Sequence, residues 1–229
     1  MAMSAFAVPM RELAAFEELV QYLNRKKAPV QADGCIDTQK CHLAWCAGQG
    51  FPRKLFVTYS ETRALEICRD YRFFDKNVRY YPAKDLMFYH ADIHSDQIAG
   101  ERLSAVRPLL DEEPVTIVTT VQALLDRLLP LHYLRSFCMD IMPGDRLDTA
   151  ILAGQLVQMG FERVSRVEAP GQFSIRGGII DVYNQSGESP LRIELWDDEI
   201  DSIRRFDPQS QRSLHQLEGA RIYPAAEYL

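Results

Sequence analysis

The chain has 229 residues, 47% of them apolar and 25% charged, with a formal net charge of −6. That is an ordinary globular composition, long enough for one large domain or two modest ones, and nothing global suggests a coat for nucleic acid. The apolar runs fall short of a membrane span, and the opening "MAMSAFAVPMREL" lacks the basic segment and apolar core of a signal peptide.

In chain order, "MRELAAFEELVQYLNRKK" places Leu13, Phe16, Val20 and Leu23 on one helical face. A short apolar piece, "APVQA", reads as a first strand. It leads into "GCIDTQKC" at positions 34 to 41 and a helix from about Thr38 to Ala47. "KLFVTYS" is strand-like, "ETRALEICRDYRFF" helical with Ser60 at the cap, and "VRYYPA" a short strand. A helix over Asp96 to Leu110, a buried strand "VTIVTT" and a helix "VQALLDRLL" ended by Pro130 complete the first half. Such βα alternation argues for a parallel sheet flanked by helices.

The rhythm changes near Phe137. "DTAILAGQLVQMG" is one amphipathic helix ended by Gly160, followed by the short strands "ERVSRVEA", "GQFSIRGGIIDVYN", "PLRIELW", "EIDSIRRFD" and "GARIYP". The expected architecture is an α/β parallel-sheet domain over 1–137, an α+β domain with an antiparallel sheet over 138–224, and the start of a return segment at 225–229. Charge follows the same division. Residues 1–137 carry 17 basic and 17 acidic side chains, whereas residues 138–229 carry nine Arg, no Lys and 15 acidic side chains. Arginine without lysine hints at a contact surface, since guanidinium forks pair bidentately with carboxylates.

Four stretches invite chemistry. In "GCIDTQKC", Gly34 and Lys40 stand where a G-x-x-x-x-G-K-[ST] phosphate loop needs them. Gln39 replaces the second glycine, and Cys41 offers a soft thiol where a hydroxyl would help hold Mg²⁺. A working nucleotide site, the remains of one and a chance match are the three readings. "LRIELWDDE" imitates a strand ending in a metal-binding acidic pair, but its alternation and the turn-like "DDE" read as a hairpin. "HADIHSD" gathers His90, Asp92, His94 and Asp96, for which a helix entrance is the plainer account. Cys41, His42 and Cys46 likewise read as helix packing, so no metal site is expected. The five cysteines, Cys35, Cys41, Cys46, Cys68 and Cys138, show no C-x-x-C pair and are expected to be reduced thiols of a cytoplasmic protein.

From Phe137 onward the chain resembles the amino-terminal module of the transcription-repair coupling factor (Mfd) family, itself similar to the excision-repair protein UvrB. The matching words are "GFERVSRVEAPGQFSIRGGIIDVY", "PLRIELWDDEIDSIRRFDPQSQRS" and "IYPAAE"; "VTYSETRA" and "TIVTTVQALLDRLLP" match more loosely. The resemblance implies a degenerate, RecA-like UvrB-type α/β domain, with a vestigial phosphate loop at Gly34, Gln39, Lys40 and Cys41. It also implies an α+β domain that docks UvrA through two arginines and an aromatic, here Arg176, Arg192 and Trp196, with Trp where Phe is usual. Full-length members engage RNA polymerase and duplex DNA through an ATP- and Mg²⁺-dependent translocase. This chain would carry neither motor nor cofactor and would not enter a membrane. The span from 80 to 100 is too short for the long tyrosine-rich hairpin with which UvrB probes damage.

Read from the residues alone, Arg192 and Trp196 lie four apart on one strand and share a face opposite Ile193 and Leu195. Arg with an aromatic on an exposed face is the composition of an interface hot spot. Two rival functions remain: a nucleotide-binding ATPase module relying on "GCIDTQKC", and a DNA-binding module in which arginines such as Arg204 and Arg205 contact phosphates.

Overall fold

The computed structural model describes residues 5–25, 29–84, 92–185 and 188–227. They divide into two compact units, Met1–Tyr80 with Pro114–Val121, and Tyr81–Glu113 with Gln122–Leu229.

In the first unit, helices α1 (Val8–Arg11), α2 (Ala14–Asn24), α3 (Asp37–Ala47) and α4 (Glu61–Tyr71) accompany strands β1 (Arg53–Thr58), β2 (Val78–Tyr81, all but its last residue) and β3 (Val115–Thr120). The single helix expected from Met10 is broken: Leu13 is extended, at ψ 117°, and only from Ala14 does α2 run on. Residues 29–33 form no strand, so the expected strand at "APVQA" is not realised there. Pro29 has no N–H to give to a ladder, and the stretch is exposed.

The sheet has the order β1-β3-β2, with β1 and β3 parallel from Arg53 opposite Val115 to Thr58 opposite Thr120. Helix α4 starts where the Ser60 hydroxyl accepts from the Arg63 N–H at 3.3 Å, a cap on the first turn. Its residues Ala64, Cys68 and Tyr71, spaced four and three apart, bury one stripe against Trp45 and Cys41 of α3, Val78 and Val118.

The second unit holds α5 (Asp92–Leu110), α6 (Val121–Leu125, all but its first residue), α7 (Leu131–Ser136), β4 (Met139–Ile141) and α8 (Thr149–Gln158). Then follow β5 (Glu162–Arg163), β6 (Gln172–Arg176), β7 (Ile179–Val182), β8 (Leu191–Trp196), β9 (Glu199–Phe206), β10 (Ser213–Leu217) and β11 (Ala220–Ile222). Six of these strands form one sheet in the order β10-β9-β8-β7-β6-β5, while β11 pairs with β4. The ladder is antiparallel except between β5 and β6.

Asp148 caps α8, its Oδ1 accepting from the N–H groups of Ala150 (2.8 Å) and Ile151 (3.1 Å). Leu152 and Leu156 of that helix then cover one sheet face through Phe173, Ile180, Val182, Leu191 and Ile193. Those strand residues alternate with the polar side chains of the opposite face, the consequence of a two-residue period.

The line near 137 suggested by the change of rhythm falls inside this second unit. Long-range ties explain why. Arg102 of α5 is fully buried and donates to Glu227, to the Pro82 carbonyl at 2.6 Å and to the Tyr81 hydroxyl. Arg221 Nη1 reaches Asp111 at 3.0 Å, and the Tyr223 hydroxyl donates to the same carboxylate at 2.8 Å. These bonds gather α5 and the 220–227 segment into one body.

Candidate partner-docking face and phosphate-type loop

In the first unit the loop at "GCIDTQKC" turns on Gly34, whose φ is +82°, and Asp37 opens α3. Gln39 is engaged locally, its Oε1 accepting from the Ile36 N–H at 3.2 Å. That is the reach-back half of a capping box, since isoleucine has no side-chain acceptor to complete it. Lys40 Nζ is 3.2 Å from Asp37 Oδ1, and Arg63 Nη2 approaches the same oxygen at 3.0 Å.

Cys41 points into the core, and its thiol pKa is pushed up, first by burial. A groove of about 740 Å³ runs beside the loop, lined by Met10, Leu13, Phe16, Gln39 and His42 among others. His42 stacks on Phe74 with ring centroids 5.2 Å apart, and its Nε2 lies 2.7 Å from the Phe6 carbonyl oxygen. The Cys41, His42 and Cys46 trio is therefore helix packing. Among the described residues no group of His, Cys, Asp and Glu could hold a metal ion. His90 and the side chains of Asp92, His94 and Asp96 lie outside the described residues.

In the second unit the three expected docking residues lie on the polar face of the six-stranded sheet. Cross-strand partners share a face, and the register fixes two rows. One row runs Arg176, Ile179, Glu194, Ser202; the next runs Ser174, Asp181, Arg192, Arg204. Trp196 stands two residues beyond Glu194 on β8 and is 82% exposed.

The "RGG" at 176–178 lets β6 turn into β7 tightly. Gly177 has φ +60°, a value that costs other residues. An added Cβ at Gly178 would stand 2.9 Å from the Leu195 carbonyl oxygen. "DDE" is a hairpin turn, with Asp197 at φ +59° between Trp196 of β8 and Glu199 of β9.

Arg176 and Arg192 are not equivalent. The Arg192 side chain is 13% exposed and donates from Nε to Asp181 Oδ1 (2.8 Å) and from Nη2 to Asp181 Oδ2 (2.9 Å). Nη1 donates to the Gln211 carbonyl at 3.0 Å, and the guanidinium lies 4.4 Å from the Phe206 ring centroid. The hydrogen bond to Asp181 raises the Arg192 pKa, against an opposing effect of burial. Gln211 is brought there by a turn in which the Asp207 carboxylate accepts from Ser210 N–H at 2.6 Å. That bond holds the Asp207 carboxyl below its ordinary pKa.

Arg176, 46% exposed, reaches the same carboxylate through Nη2, 2.7 Å from Asp181 Oδ2. Asp181 has no exposed surface. Sequence reading missed it, although an acidic residue in an otherwise apolar strand, "IIDV", was the available signal. The phosphate-contact candidates Arg204 and Arg205 are paired with Glu194 (3.5 Å) and Glu188.

A family model described as the UvrB interaction domain matches residues 139–228, the segment that carries this face. The chain is 39% identical over 155 residues to the transcription-repair-coupling factor of Bacillus subtilis (strain 168), covering 68% of the chain and 13% of that relative. The same factor of Staphylococcus aureus (strain Mu50 / ATCC 700699) is 36% identical over 159 residues, 69% of the chain and 14% of the relative. The chain belongs to the transcription-repair-coupling-factor family. It spans about one-seventh of the length of these curated relatives. Among the described residues of this family member no helix is long and apolar enough to cross a membrane.

Proposed function

We propose that this chain is the UvrA-recruiting module of a transcription-repair coupling factor, a non-catalytic adaptor in transcription-coupled excision repair. The observation that carries the reading is the exposed pair Arg176 and Trp196 on the open face of the sheet, inside the segment matched by the UvrB interaction domain. A large aromatic left mostly in water, on a surface that also exposes an arginine, is what a protein interface buries at its centre. RNA polymerase and duplex DNA are partners of the whole protein, and ATP with Mg²⁺ belongs to a motor elsewhere in it.

The loop at 34–41 supports the adaptor reading. Its lysine is paired with Asp37, an acid at the first turn of α3 where a phosphate would meet the helix dipole. Cys41 is turned into the core, away from any cation. The test is binding of purified UvrA to the wild-type chain and to Trp196→Ala. Loss of binding by a folded Trp196→Ala supports the docking face, and unchanged binding rejects it. Equilibrium dialysis with ATP and Mg²⁺ checks the adaptor claim separately, since saturable submillimolar binding would reject it.

A further inference from the structure

The exposed guanidinium of the docking face is tethered to a carboxylate that never meets solvent. We propose that Asp181 is a positioning residue for docking, fixing Arg176 so that its free N–H groups meet a carboxylate of the partner. The proposal rests on the docking reading above and adds to it a residue, a division of labour and the chemistry of the group recognised.

The bidentate pair with Arg192 uses two of the roughly four lone-pair sites of the Asp181 carboxylate. Here Oδ2 takes one hydrogen bond more, from Arg176 at 2.7 Å. The order of support is readable. Phe206 and Gln211 hold Arg192, Arg192 holds Asp181, and Asp181 holds Arg176. Asp181 is the one hydrogen-bond partner of the Arg176 guanidinium among the described residues. Five N–H groups less the one given to Asp181 remain for a partner. An arginine already held in one orientation loses less rotamer freedom on binding than a free one.

Charge selects the partner group. Two guanidiniums share one carboxylate, so the cluster keeps one positive charge, and its exposed member is Arg176. The nearest carboxylate in the same cross-strand row is Glu194, already engaged by the Ser202 hydroxyl (3.0 Å) and by Arg204 (3.5 Å), with Ile179 between it and Arg176. The positive end is left for an acidic side chain on the docking protein, and planar fork geometry favours a carboxylate.

Asp181→Asn tests the coupling. An amide offers one acceptor where three hydrogen bonds arrive at two, and its NH₂ opposes a guanidinium in either flip. Arg192 keeps Gln211 and Phe206, whereas Arg176 loses its tether where the NH₂ takes the place of Oδ2 and, in the other flip, keeps only a neutral acceptor shared with Arg192 in place of a carboxylate. UvrA affinity is measured by titration calorimetry for the wild-type chain, Arg176→Ala, Asp181→Asn, the double variant and Trp196→Ala, with circular dichroism confirming each fold. Arg176→Ala and Asp181→Asn are each expected to weaken binding about tenfold or more, and the double variant to be no weaker than Arg176→Ala within about twofold. Added salt weakens wild-type binding more steeply than binding of Arg176→Ala.

Wild-type affinity in folded Asp181→Asn, or a double variant that loses the product of the two single effects, overturns the proposal and leaves the docking reading standing. An equal salt response in wild type and Arg176→Ala overturns the carboxylate assignment. If neither Arg176→Ala nor Trp196→Ala changes UvrA affinity, the docking reading fails and the proposal falls with it. Should Asp181→Asn not fold, NMR of the isotope-labelled wild-type chain decides. Slow rotation about the Arg176 Cζ–Nη2 bond is expected, and free rotation overturns the proposal.

Discussion

Arg192 meets Asp181 through two parallel hydrogen bonds, Nε to Oδ1 and Nη2 to Oδ2, at a carboxylate with no exposed surface. Removing one partner of a buried pair leaves the other charge uncompensated, which typically costs about 3–5 kcal/mol. Arg192→Ala is therefore expected to lower stability by about that much in urea denaturation. Arg176→Ala, which removes one charge-assisted hydrogen bond at a half-exposed position and leaves Asp181 its bidentate pair, is expected to cost less, about 1 kcal/mol. A loss of UvrA binding by Arg192→Ala thus reports the fold of the sheet before it reports the interface; Arg176 and Trp196 are the informative positions.

Trp196 is the proposed anchor of the docking face. The residue is 82% exposed in the free chain, so truncating its side chain removes no packing on which the fold depends. Trp196→Ala is expected to cost about 2 kcal/mol or more of UvrA affinity, with the thermal midpoint unchanged. Trp196→Phe, which keeps an aromatic, is expected to retain most of the affinity. An equal loss in both variants would mean that the indole N–H, and not the ring face, carries the contact.

The paired glycines of "RGG" differ in their demands. At Gly178 an added Cβ meets the Leu195 carbonyl oxygen at 2.9 Å, while Leu195 N–H donates to the Gly178 carbonyl at 2.7 Å. Backbone on both sides cannot give way, so Gly178→Ala should cost about 1–3 kcal/mol, as overpacking does. At Gly177 nothing lies within 4 Å and only the φ of +60° opposes a side chain. Gly177→Ala should cost about 1–2 kcal/mol. Thermal unfolding of the two variants, with strand pairing followed by amide exchange, checks that only Gly178→Ala disturbs the β7–β8 ladder.

Burial sets the thiol chemistry. The Cys68 thiol is pushed up to about 11 from its ordinary 9.0, chiefly by desolvation. The unfolded chain therefore loses this proton first as pH rises. The stability that the neutral thiol contributes is complete below pH 9 and drains away between 9 and about 11. Cys68→Ala should flatten that limb of a stability–pH curve, whatever its cost at neutral pH. In native protein a thiol reagent should modify half-buried Cys35 before Cys41, Cys46 or Cys68, which are buried.

Much of the fold is legible where pattern and packing agree. "LRIELW" alternates with period two and becomes β8, its Ile193 facing the core and its Trp196 the solvent. Where local signals were weak, neighbours decided. "SLHQL" is an edge strand whose residues are exposed but for half-buried Leu217, so no apolar alternation announces β10. "VQALLDRLL" reads as a helix to Pro130, yet α6 stops at Leu125, just before Asp126, whose carboxylate accepts from the Lys84 N–H at 2.8 Å. The break at Leu13 in the opening helix likewise has no mark in the periodicity.

The sequence by itself determined the two kinds of sheet, the hairpin at "DDE" and the face shared by Arg192 and Trp196, because each follows from spacing along a single segment. Tertiary structure decided which partners those residues have. Five positions separate Arg176 from Asp181 and eleven separate Asp181 from Arg192, and only the β6–β7–β8 register brings all three together. One buried carboxylate is shared by two arginines that look alike in the sequence, one of them mostly buried and the other half-exposed. Burial and the geometry of shared hydrogen bonds belong to packed strands, and a one-dimensional pattern carries neither.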